Sequence, residues 1–253
     1  MSGITIKTSA EIKKLRAGGK ILAKIIKQLG RAAKAGTTTL ELDSLARKLI
    51  LDYGATPSFE NFGEPPYPAV LCASNNEGIV HCIPDNEKLK EGDILGLDLG
   101  IWYQGLCTDM AITVPVGKVS AAAKKLLKVT QKSLELAIQQ VKPDKTIGDI
   151  GYAVQTYVEQ NGFGVVRRLV GHGVGYGVHE EPRIPNFGKP GQGQVLKEGM
   201  VIAIEPMVTA GHFEIEVLAN NWNIVTADRS LAAHFEHTVA VTKNGCEILT
   251  RLR

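Results

Sequence analysis

The chain has 253 residues, 44% of them hydrophobic and 22% charged, proportions typical of a soluble globular protein. Its formal net charge of +3 does not indicate nucleic acid as a main partner. No apolar run is long enough to cross a bilayer, and the first residues contain no apolar signal core. The four cysteines form no close metal-binding pair and no dense disulfide framework, so we expect free thiols in a reducing cytoplasm.

Four helices are predicted, two in each half of the chain. A side chain that can cap a helix begins each one: Thr8, Thr38, Ser120 and Thr146. Apolar residues follow each cap at helical spacing. The pair Gly18-Gly19 is expected to weaken the first helix in its middle, because glycine is a poor helix former.

Strands are predicted after each pair of helices, which indicates an α+β fold. In the first half we expect an irregular proline-rich loop, two strands and a hairpin, at 57–68, 70–73, 78–83 and 89–116. In the second half we expect strands at 165–170, 201–208, 213–218 and 235–242, with loops at 171–177 and 182–193. No segment has the composition of a flexible linker, so one domain spanning 1–253 is expected.

The hairpin at 89–116 carries two acidic residues within apolar strands. Asp98 lies between two leucines, and Asp109 lies on the partner strand. Strands are poor in Asp, and a buried carboxylate without a counter-charge is unfavourable. Two carboxylates directed at one region indicate a divalent metal. On the hairpin alone, a salt bridge or a turn aspartate explains the pattern about equally well.

The beginning of this hairpin is repeated later in the chain. The sequence LKEGDILGLD at 89–98 aligns without gaps with LKEGMVIAIE at 196–205, an offset of 107 residues (205 − 98). The alignment places Asp98 on Glu205, an acid on an acid. A two-fold relation between the repeats would bring both carboxylates to a shared axis.

A shorter repeat, V-H-x-x-P, relates His81 to His179. Short matches occur by chance, but matches that also align an acid with an acid favour a true internal repeat. The predicted halves of the domain are about 1–118 and 119–253.

The segment GHGVGYGVH contains His172 and His179 among four glycines. Glycine permits a close approach of the backbone to a ligand. A phosphate-binding loop is an alternative, but the spacing matches neither a P-loop nor a dinucleotide-binding fingerprint. Either histidine alone could be a hydrogen-bonded structural residue.

Glu236 is the last candidate ligand. Asp109 and Glu236 each precede an alternating β run, which indicates a second symmetry-related acid pair. On a regular strand His234 and Glu236 share a face, and a metal site using both is conceivable. We expect His234 and His237 to be peripheral instead, because the repeat supplies only the acid.

Four carboxylates and one imidazole therefore form the candidate metal site: Asp98, Asp109, His172, Glu205 and Glu236. Four negative charges at one centre repel each other strongly unless cations are present. They suit two divalent ions that share carboxylates and a water. Oxygen-rich ligation with one histidine favours Mn, Co or Fe over a thiolate-type zinc site.

At these residues the sequence resembles methionine aminopeptidase, type I, over nearly its whole length. The motifs that carry the resemblance are LDLG…TD, GHGVG…VHE.P, EPM and FEHT, in that order. The family has the pseudo-two-fold pita-bread fold, with two helix-helix-strand halves around a central antiparallel sheet. Without a zinc-finger extension or a large insert, the chain looks like the short bacterial-type enzyme.

The resemblance implies a role for each candidate ligand. Asp98 would chelate one ion, and His172 and Glu205 would hold the other. Asp109 and Glu236 would bridge both ions. We expect two divalent metal ions, whose identity the sequence leaves open among Co, Mn and Fe.

The resemblance also implies catalytic and substrate-binding residues. Glu205 is the candidate for handling the proton of the attacking water, with His81 and His179 as catalytic histidines that also contact the substrate. The positions that line the methionine pocket of the family are Tyr67, Cys72 and Trp222. Many members carry an aromatic residue where this chain has Val178, which could widen the pocket.

The implied substrate is a nascent chain with an N-terminal methionine and a small second residue. We expect a cytoplasmic monomer with transient ribosome contact, no specific nucleic acid and no membrane association. An X-Pro aminopeptidase or dipeptidase is the first alternative, although those chains usually carry an extra N-terminal domain. A metal-free peptide-binding module is the second, although such modules lose ligands and all five candidates stand here.

Overall fold

The computed structural model describes residues 3–252. Its helices are α1 (Ser9–Ala32), α2 (Thr39–Asp52), α3 (Ala121–Gln139) and α4 (Ile147–Gln160). The hydroxyl groups that accept from the first turn of each helix belong to Thr8, Thr38, Ser120 and Thr146. In α1, α2 and α4 an acidic side chain also reaches back to the cap, completing a capping box. All four predicted helix starts are confirmed.

The strands of the described region are short except for the predicted hairpin. They are β1 (Thr56–Pro57), β2 (Cys72–Asn75), β3 (Gly78–Val80), β4 (Ile94–Tyr103), β5 (Leu106–Pro115), β6 (Gly164–Val165), β7 (Gly171–Gly173), β8 (Glu180–Ile184), β9 (Val201–Ile204), β10 (Met207–Thr209), β11 (Ile215–Val217), β12 (Ile224–Thr226), β13 (Ala232–His234), β14 (His237–Thr242) and β15 (Gly245–Ile248).

Every strand pair among residues 3–252 is antiparallel. A four-stranded sheet has the order β1-β4-β2, with β5 on β4, and a five-stranded sheet has the order β15-β14-β9-β7-β8. Two three-stranded sheets, β13-β10-β6 and β11-β12-β3, extend them. The strands expected in one central sheet therefore form four hydrogen-bonded groups.

The hairpin predicted at 89–116 is confirmed. Strands β4 and β5 pair from Ile94 with Pro115 to Tyr103 with Leu106, around a two-residue turn with positive φ at both positions. Asp109 pairs with Gly100, which lies two residues after Asp98. Because strand side chains alternate, Asp98 and Asp109 project from the same face.

The helices cover the outer faces of the two larger sheets. One apolar cluster joins α1 and α2 to β4, and another joins α3 and α4 to β9 and β14. The glycine pair does not interrupt α1. A Cβ atom added at Gly19 would lie 2.4 Å from the carbonyl oxygen of Leu249. Glycine therefore allows the helix to contact the C-terminal segment closely.

The predicted strand pattern of the second half is partly wrong. The expected loop at 171–177 begins with β7, and the expected loop at 182–193 begins inside β8. The expected strand at 201–208 divides into β9 and β10 around Pro206, which has no N–H for a ladder. The strand expected at 235–242 begins only at His237, and the strand expected at 165–170 ends at Val165.

Two isolated bridges occupy matching places in the two parts of the chain. Thr38 pairs with Lys88 just before α2, and Thr146 pairs with Val195 just before α4. In the repeated segments, β4 begins at Ile94 and β9 at Val201. The proposed boundary between residues 118 and 119 falls between β5 and α3, and the division into halves stays a prediction.

No helix between residues 3 and 252 has the length and apolar character to span a bilayer.

Candidate active site

A cavity of about 410 Å³ opens between the two larger sheets. All ten residues predicted for the site line it: Tyr67, Cys72, His81, Asp98, Asp109, His172, His179, Glu205, Trp222 and Glu236. They come from both parts of the chain. The structure therefore brings the predicted residues together, while the role of each remains a prediction.

The four carboxylates come from three elements of the fold. Asp98 and Asp109 project from the β4–β5 hairpin, and Glu205 directly follows β9. Glu236 lies between β13 and β14, where its backbone N–H donates to the carbonyl of Ala111 at 2.8 Å. This hydrogen bond holds Glu236 beside β5 and therefore beside the other acids.

Burial makes these acids hard to ionise. It raises the pKa of Asp109 and of Glu205 to about 8. Burial, together with repulsion from neighbouring carboxylates, raises the pKa of Asp98 and of Glu236 well above the usual range. Four acids with this behaviour in one cavity favour the binding of cations.

Two carboxylate oxygens support the same conclusion. Asp98 Oδ1 and Glu236 Oε1 are buried and have no hydrogen-bond partner within residues 3–252. Buried polar atoms are normally hydrogen-bonded, so these oxygens have free lone pairs inside the protein. Divalent cations take such oxygen ligands, so the residues present fit the metal that the sequence predicts.

The tautomer of His172 leaves one ring nitrogen free for a metal. Its Nδ1 lies 2.9 Å from the carbonyl of Gly173, which can only accept, so Nδ1 carries the proton. The lone pair of Nε2 points elsewhere, and Nε2 lies 3.5 Å from Glu205 Oε1. Ligand atoms of Asp109, His172 and Glu236 all lie within 4.8 Å of one another. These three residues can contact one ion together.

The two histidines of the V-H-x-x-P repeat face the same cavity. Burial lowers the pKa of His81 to about 4, and burial also lowers the pKa of His179. Both rings are therefore neutral at physiological pH. The His179 ring stands edge-on to His172, with ring centroids 4.4 Å apart. His81 has a φ of 58°, a left-handed conformation that is uncommon outside glycine and is found at functional sites.

The loop that carries His179 is held by a contact with the segment before α1. Lys7 Nζ lies 2.7 Å from Glu180 Oε2, and Lys7 is almost fully buried. The other carboxylate oxygen of Glu180 accepts from the backbone N–H of Tyr176 and of Gly177. These bonds fix the residue next to His179 against the loop.

The predicted pocket residues form an aromatic and sulfur-containing wall. The Tyr67 hydroxyl lies within hydrogen-bond distance of the carbonyls of Leu71 (3.0 Å) and Cys82 (3.1 Å). The rings of Tyr67 and Trp222 stack edge to face at 5.0 Å. Cys72 pairs with Asp98 across β2 and β4, which puts the thiol beside the acids.

Phe59 and Phe62 also line the cavity, although neither was predicted from the sequence. Phe62 contacts the edge of His179, with ring centroids 5.1 Å apart. Val178 is buried in a neighbouring apolar cluster and does not line the cavity. The sequence did contain a signal for Phe59 and Phe62: both lie in the proline-rich loop, and apolar rings in an irregular loop need a surface to contact.

His234 was expected to be peripheral, but it is buried beside Glu205. Its Nε2 lies 3.4 Å from Glu205 Oε2. The expectation that His234 and Glu236 share the face of one strand is wrong, because β13 ends at His234 and β14 begins at His237. His237 hydrogen-bonds Thr250 instead.

Comparison with known proteins agrees with this geometry. The model of metallopeptidase family M24 matches residues 13–243. Methionine aminopeptidase 1 of Bacillus subtilis is 46% identical over 249 residues, covering 98% of this chain and 100% of the relative. The crystal structure of methionine aminopeptidase from Thermotoga maritima superposes with a TM-score of 0.96 at 42% identity, covering 99% of this chain and 100% of that one.

A more distant structure shares the fold alone. The prolidase of Pyrococcus horikoshii superposes with a TM-score of 0.78 at 22% identity, covering 98% of this chain and 64% of that one. The architecture is thus the pita-bread fold of methionine aminopeptidases and prolidases. With a family model that spans most of its length and close relatives that align from end to end, the chain belongs to metallopeptidase family M24.

Proposed function

We propose that the chain is a metal-dependent aminopeptidase that removes the N-terminal methionine from proteins with a small second residue. The observation that carries this proposal is the cavity in which buried carboxylate oxygens without hydrogen-bond partners among residues 3–252 lie beside an aromatic and sulfur-containing wall. Similar proteins support it, among them methionine aminopeptidase 1 of Bacillus subtilis at 46% identity.

The proposed ligands would hold two divalent ions. Asp98 is assigned to one ion, and His172 and Glu205 are assigned to the other. Asp109 and Glu236 are assigned as bridges, in agreement with the proximity of both to His172. Bound divalent cations supply Lewis acidity, which makes water nucleophilic at neutral pH and polarises a peptide carbonyl. The donor set favours Mn, Co or Fe.

Residues of the chain would handle the protons and the developing charge. Glu205 is assigned to accept the proton of the attacking water, which requires an ionised carboxylate, the state that bound cations would favour. His179, neutral and directed into the cavity, would donate to the carbonyl oxygen as negative charge develops there. His81 would orient the peptide and assist the departing amine.

The pocket supports a preference for methionine. A thioether is soft and flexible, and it contacts aromatic rings favourably. The fixed ring of Tyr67, the ring of Trp222 and the thiol of Cys72 offer such a surface next to the acids. Phe59 and Phe62 add aromatic surface to the same cavity, which Val178 does not line.

A set of short peptides tests the proposal. Metal-free protein reconstituted with Mn, Co or Fe is incubated with Met-Ala, Met-Lys and Ala-Pro peptides, and released amino acids are measured. We expect methionine from the Met-Ala peptide, much slower release from Met-Lys and none from Ala-Pro. Faster release from Ala-Pro would favour an X-Pro peptidase, and full activity without metal would contradict the proposal.

The cellular setting is part of the same proposal. The substrate would be nascent chains in the cytoplasm, reached by a monomer through transient ribosome contact. The free thiols of all four cysteines are compatible with a reducing compartment. Sedimentation of the protein with and without ribosomes tests both the assembly state and the contact.

A further inference from the structure

The carboxylate of Glu205 lies between two imidazole rings. His172 Nε2 is 3.5 Å from Oε1, and His234 Nε2 is 3.4 Å from Oε2. The two rings differ in their access to the cavity. His172 lines it, whereas His234 is 3% exposed and lies behind Glu205. Each oxygen of the carboxylate therefore has its own imidazole nitrogen as a neighbour.

No other interaction among residues 3–252 accounts for the buried Nε2 of His234. Its Nε2 is buried and has no hydrogen-bond partner within residues 3–252. A buried ring nitrogen without a partner is unfavourable, and Glu205 Oε2 is an acceptor within reach. Unlike Asp98 and Glu205, His234 does not line the cavity. The position suits a hydrogen-bond donor better than a metal ligand.

The backbone holds both residues firmly. The N–H of His234 donates to Thr113 Oγ1 at 2.9 Å, and the same hydroxyl donates to the His234 carbonyl at 2.8 Å. His234 also pairs with Met207 across β13 and β10. On the other side, the amide of Asn186 donates to the Glu205 carbonyl at 2.9 Å. The distance between the ring and the carboxylate is therefore set by the framework.

We propose that His234 is a positioning residue that donates its Nε2 proton to Glu205 Oε2. This bond would occupy one carboxylate oxygen and leave Oε1, which lies 3.5 Å from His172 Nε2, available to hold an ion together with that nitrogen. Without the donor, the carboxylate is free to rotate. The inference rests on the proposed function, since it takes Glu205 as a ligand of a divalent ion. Partners of this kind orient metal ligands, and their loss typically weakens metal affinity by about 10–100-fold.

Three variants test the proposal: His234→Leu removes the donor, His234→Gln supplies an amide donor of similar reach, and His237→Gln is the matched control. His237 is the next histidine along the chain, and it bonds Thr250 instead of Glu205. Binding of Mn²⁺ and Co²⁺ to metal-free protein is measured by titration calorimetry. The visible spectrum of the Co²⁺ form reports the ligand geometry. Thermal unfolding of each metal-free protein checks that it is folded.

We expect His234→Leu to bind metal about 10–100-fold more weakly and to change the Co²⁺ spectrum. We expect His234→Gln and His237→Gln to stay close to the unsubstituted protein in both measurements. If the Leu variant does not fold, His234→Asn replaces it, because the same amide on a shorter side chain falls short of Glu205.

The outcomes separate this inference from the proposed function. Unchanged metal affinity and spectrum in folded His234→Leu overturn the role of His234, while metal binding and peptide hydrolysis by the unsubstituted protein keep the proposed function standing. Equal weakening in the Gln and Leu variants overturns the donor role and identifies Nε2 as a ligand. Absence of divalent metal binding in the unsubstituted protein overturns both proposals.

Discussion

Asp109 and Thr238 hold each other through a reciprocal pair of hydrogen bonds. The N–H of Asp109 donates to Thr238 Oγ1 at 2.9 Å, and the hydroxyl donates back to the Asp109 carbonyl at 2.7 Å. Asp109 belongs to β5 and Thr238 to β14, so one fully buried hydroxyl joins the two larger sheets. These bonds fix the backbone of a residue whose side chain belongs to the candidate metal site.

Replacing Thr238 tests this join. Thr238→Val keeps the shape but leaves the N–H and the carbonyl of Asp109 without partners, each at about 1–3 kcal/mol. We expect the free energy of unfolding to fall by about 2–4 kcal/mol and metal affinity to weaken. Thr238→Ser keeps the hydroxyl and is the control. Chemical denaturation of both variants measures the effect, and equal losses would contradict the role of the hydroxyl.

Neutralising one buried acid should have opposite effects on metal binding and on the metal-free fold. Glu236→Gln removes a carboxyl whose ionisation burial and the neighbouring acids oppose, so at neutral pH we expect the metal-free variant to melt at a higher temperature than the metal-free parent. The same change removes a proposed ligand and should abolish most metal binding and hydrolysis. Melting curves with and without a chelator provide the comparison. A lower melting temperature of the metal-free variant would contradict the repulsion argument.

The stability of metal-free protein should decrease as pH rises. The pKa of Asp109 and of Glu205 is about 8 in the folded protein, against about 4 in an unfolded chain. Below about pH 4 both carboxyls are protonated in the folded and in the unfolded protein. Their contribution to the free energy of unfolding is then at its maximum. Between about pH 4 and pH 8 the unfolded chain releases protons that the folded protein keeps, so the free energy of unfolding falls.

Differential scanning calorimetry near pH 5 and near pH 8 measures this dependence. Each of the two groups loses about 1.4 kcal/mol per pH unit in this interval, so together they predict a loss of several kcal/mol and a melting temperature lower by roughly 10 °C or more. Metal-saturated protein should lack the effect, because bound cations keep the carboxylates ionised in the folded state. A metal-free melting temperature that rises across this interval would show that other groups dominate.

His179→Ala should separate catalysis from metal binding. The proposed loss of a donor to the developing oxyanion predicts a kcat lower by about 10²–10⁴-fold. Metal content should stay near normal, because His179 is not assigned as a ligand. The exposed His212 supplies the control substitution, His212→Ala. The metal content and the kcat of both variants are measured. A loss of metal in His179→Ala would contradict the assignment and indicate that His179 is a ligand.

The Lys7–Glu180 pair should contribute far more to stability than a surface pair. Lys7→Met leaves the carboxylate of Glu180 without its charged partner in a mostly buried site, so we expect a loss of about 3–5 kcal/mol. Lys48→Met breaks an exposed pair with Asp52 and should cost less than about 1 kcal/mol. Urea unfolding of both variants gives the two values, and similar losses would contradict the difference in burial.

Local signals predicted the helices well. The caps at Thr8, Thr38 and Thr146 depend on side chains within four residues, so the sequence alone contains the whole interaction. The hairpin turn at Gln104-Gly105 is equally local. The acids of the site were also predictable, because carboxylates within apolar strands need a compensating partner.

Short strands were not predictable in the same way. The strand β7 is rich in glycine, which favours a loop assignment, yet its position depends on β9, some thirty residues later. A Cβ at Gly171 would lie 2.4 Å from the carbonyl of Ala203, a constraint that only the folded chain reveals. His234 was misjudged for a different reason: the internal repeat supplies only the acid, whereas the proximity of His234 to Glu205 arises only in the folded chain.

The contact between Lys7 and Glu180 spans 173 residues of sequence. Chains are synthesised from the N-terminus, and a long-range contact cannot form before its second partner exists. Lys7, in the segment before α1, therefore cannot bind Glu180 until most of the chain has been synthesised. A ribosome-bound chain that stops before residue 180 can form α1 and the β4–β5 hairpin. It lacks Glu180, so the loop that ends at His179 is not yet bonded to Lys7. Assembly of the candidate active site thus belongs to the last stage of synthesis.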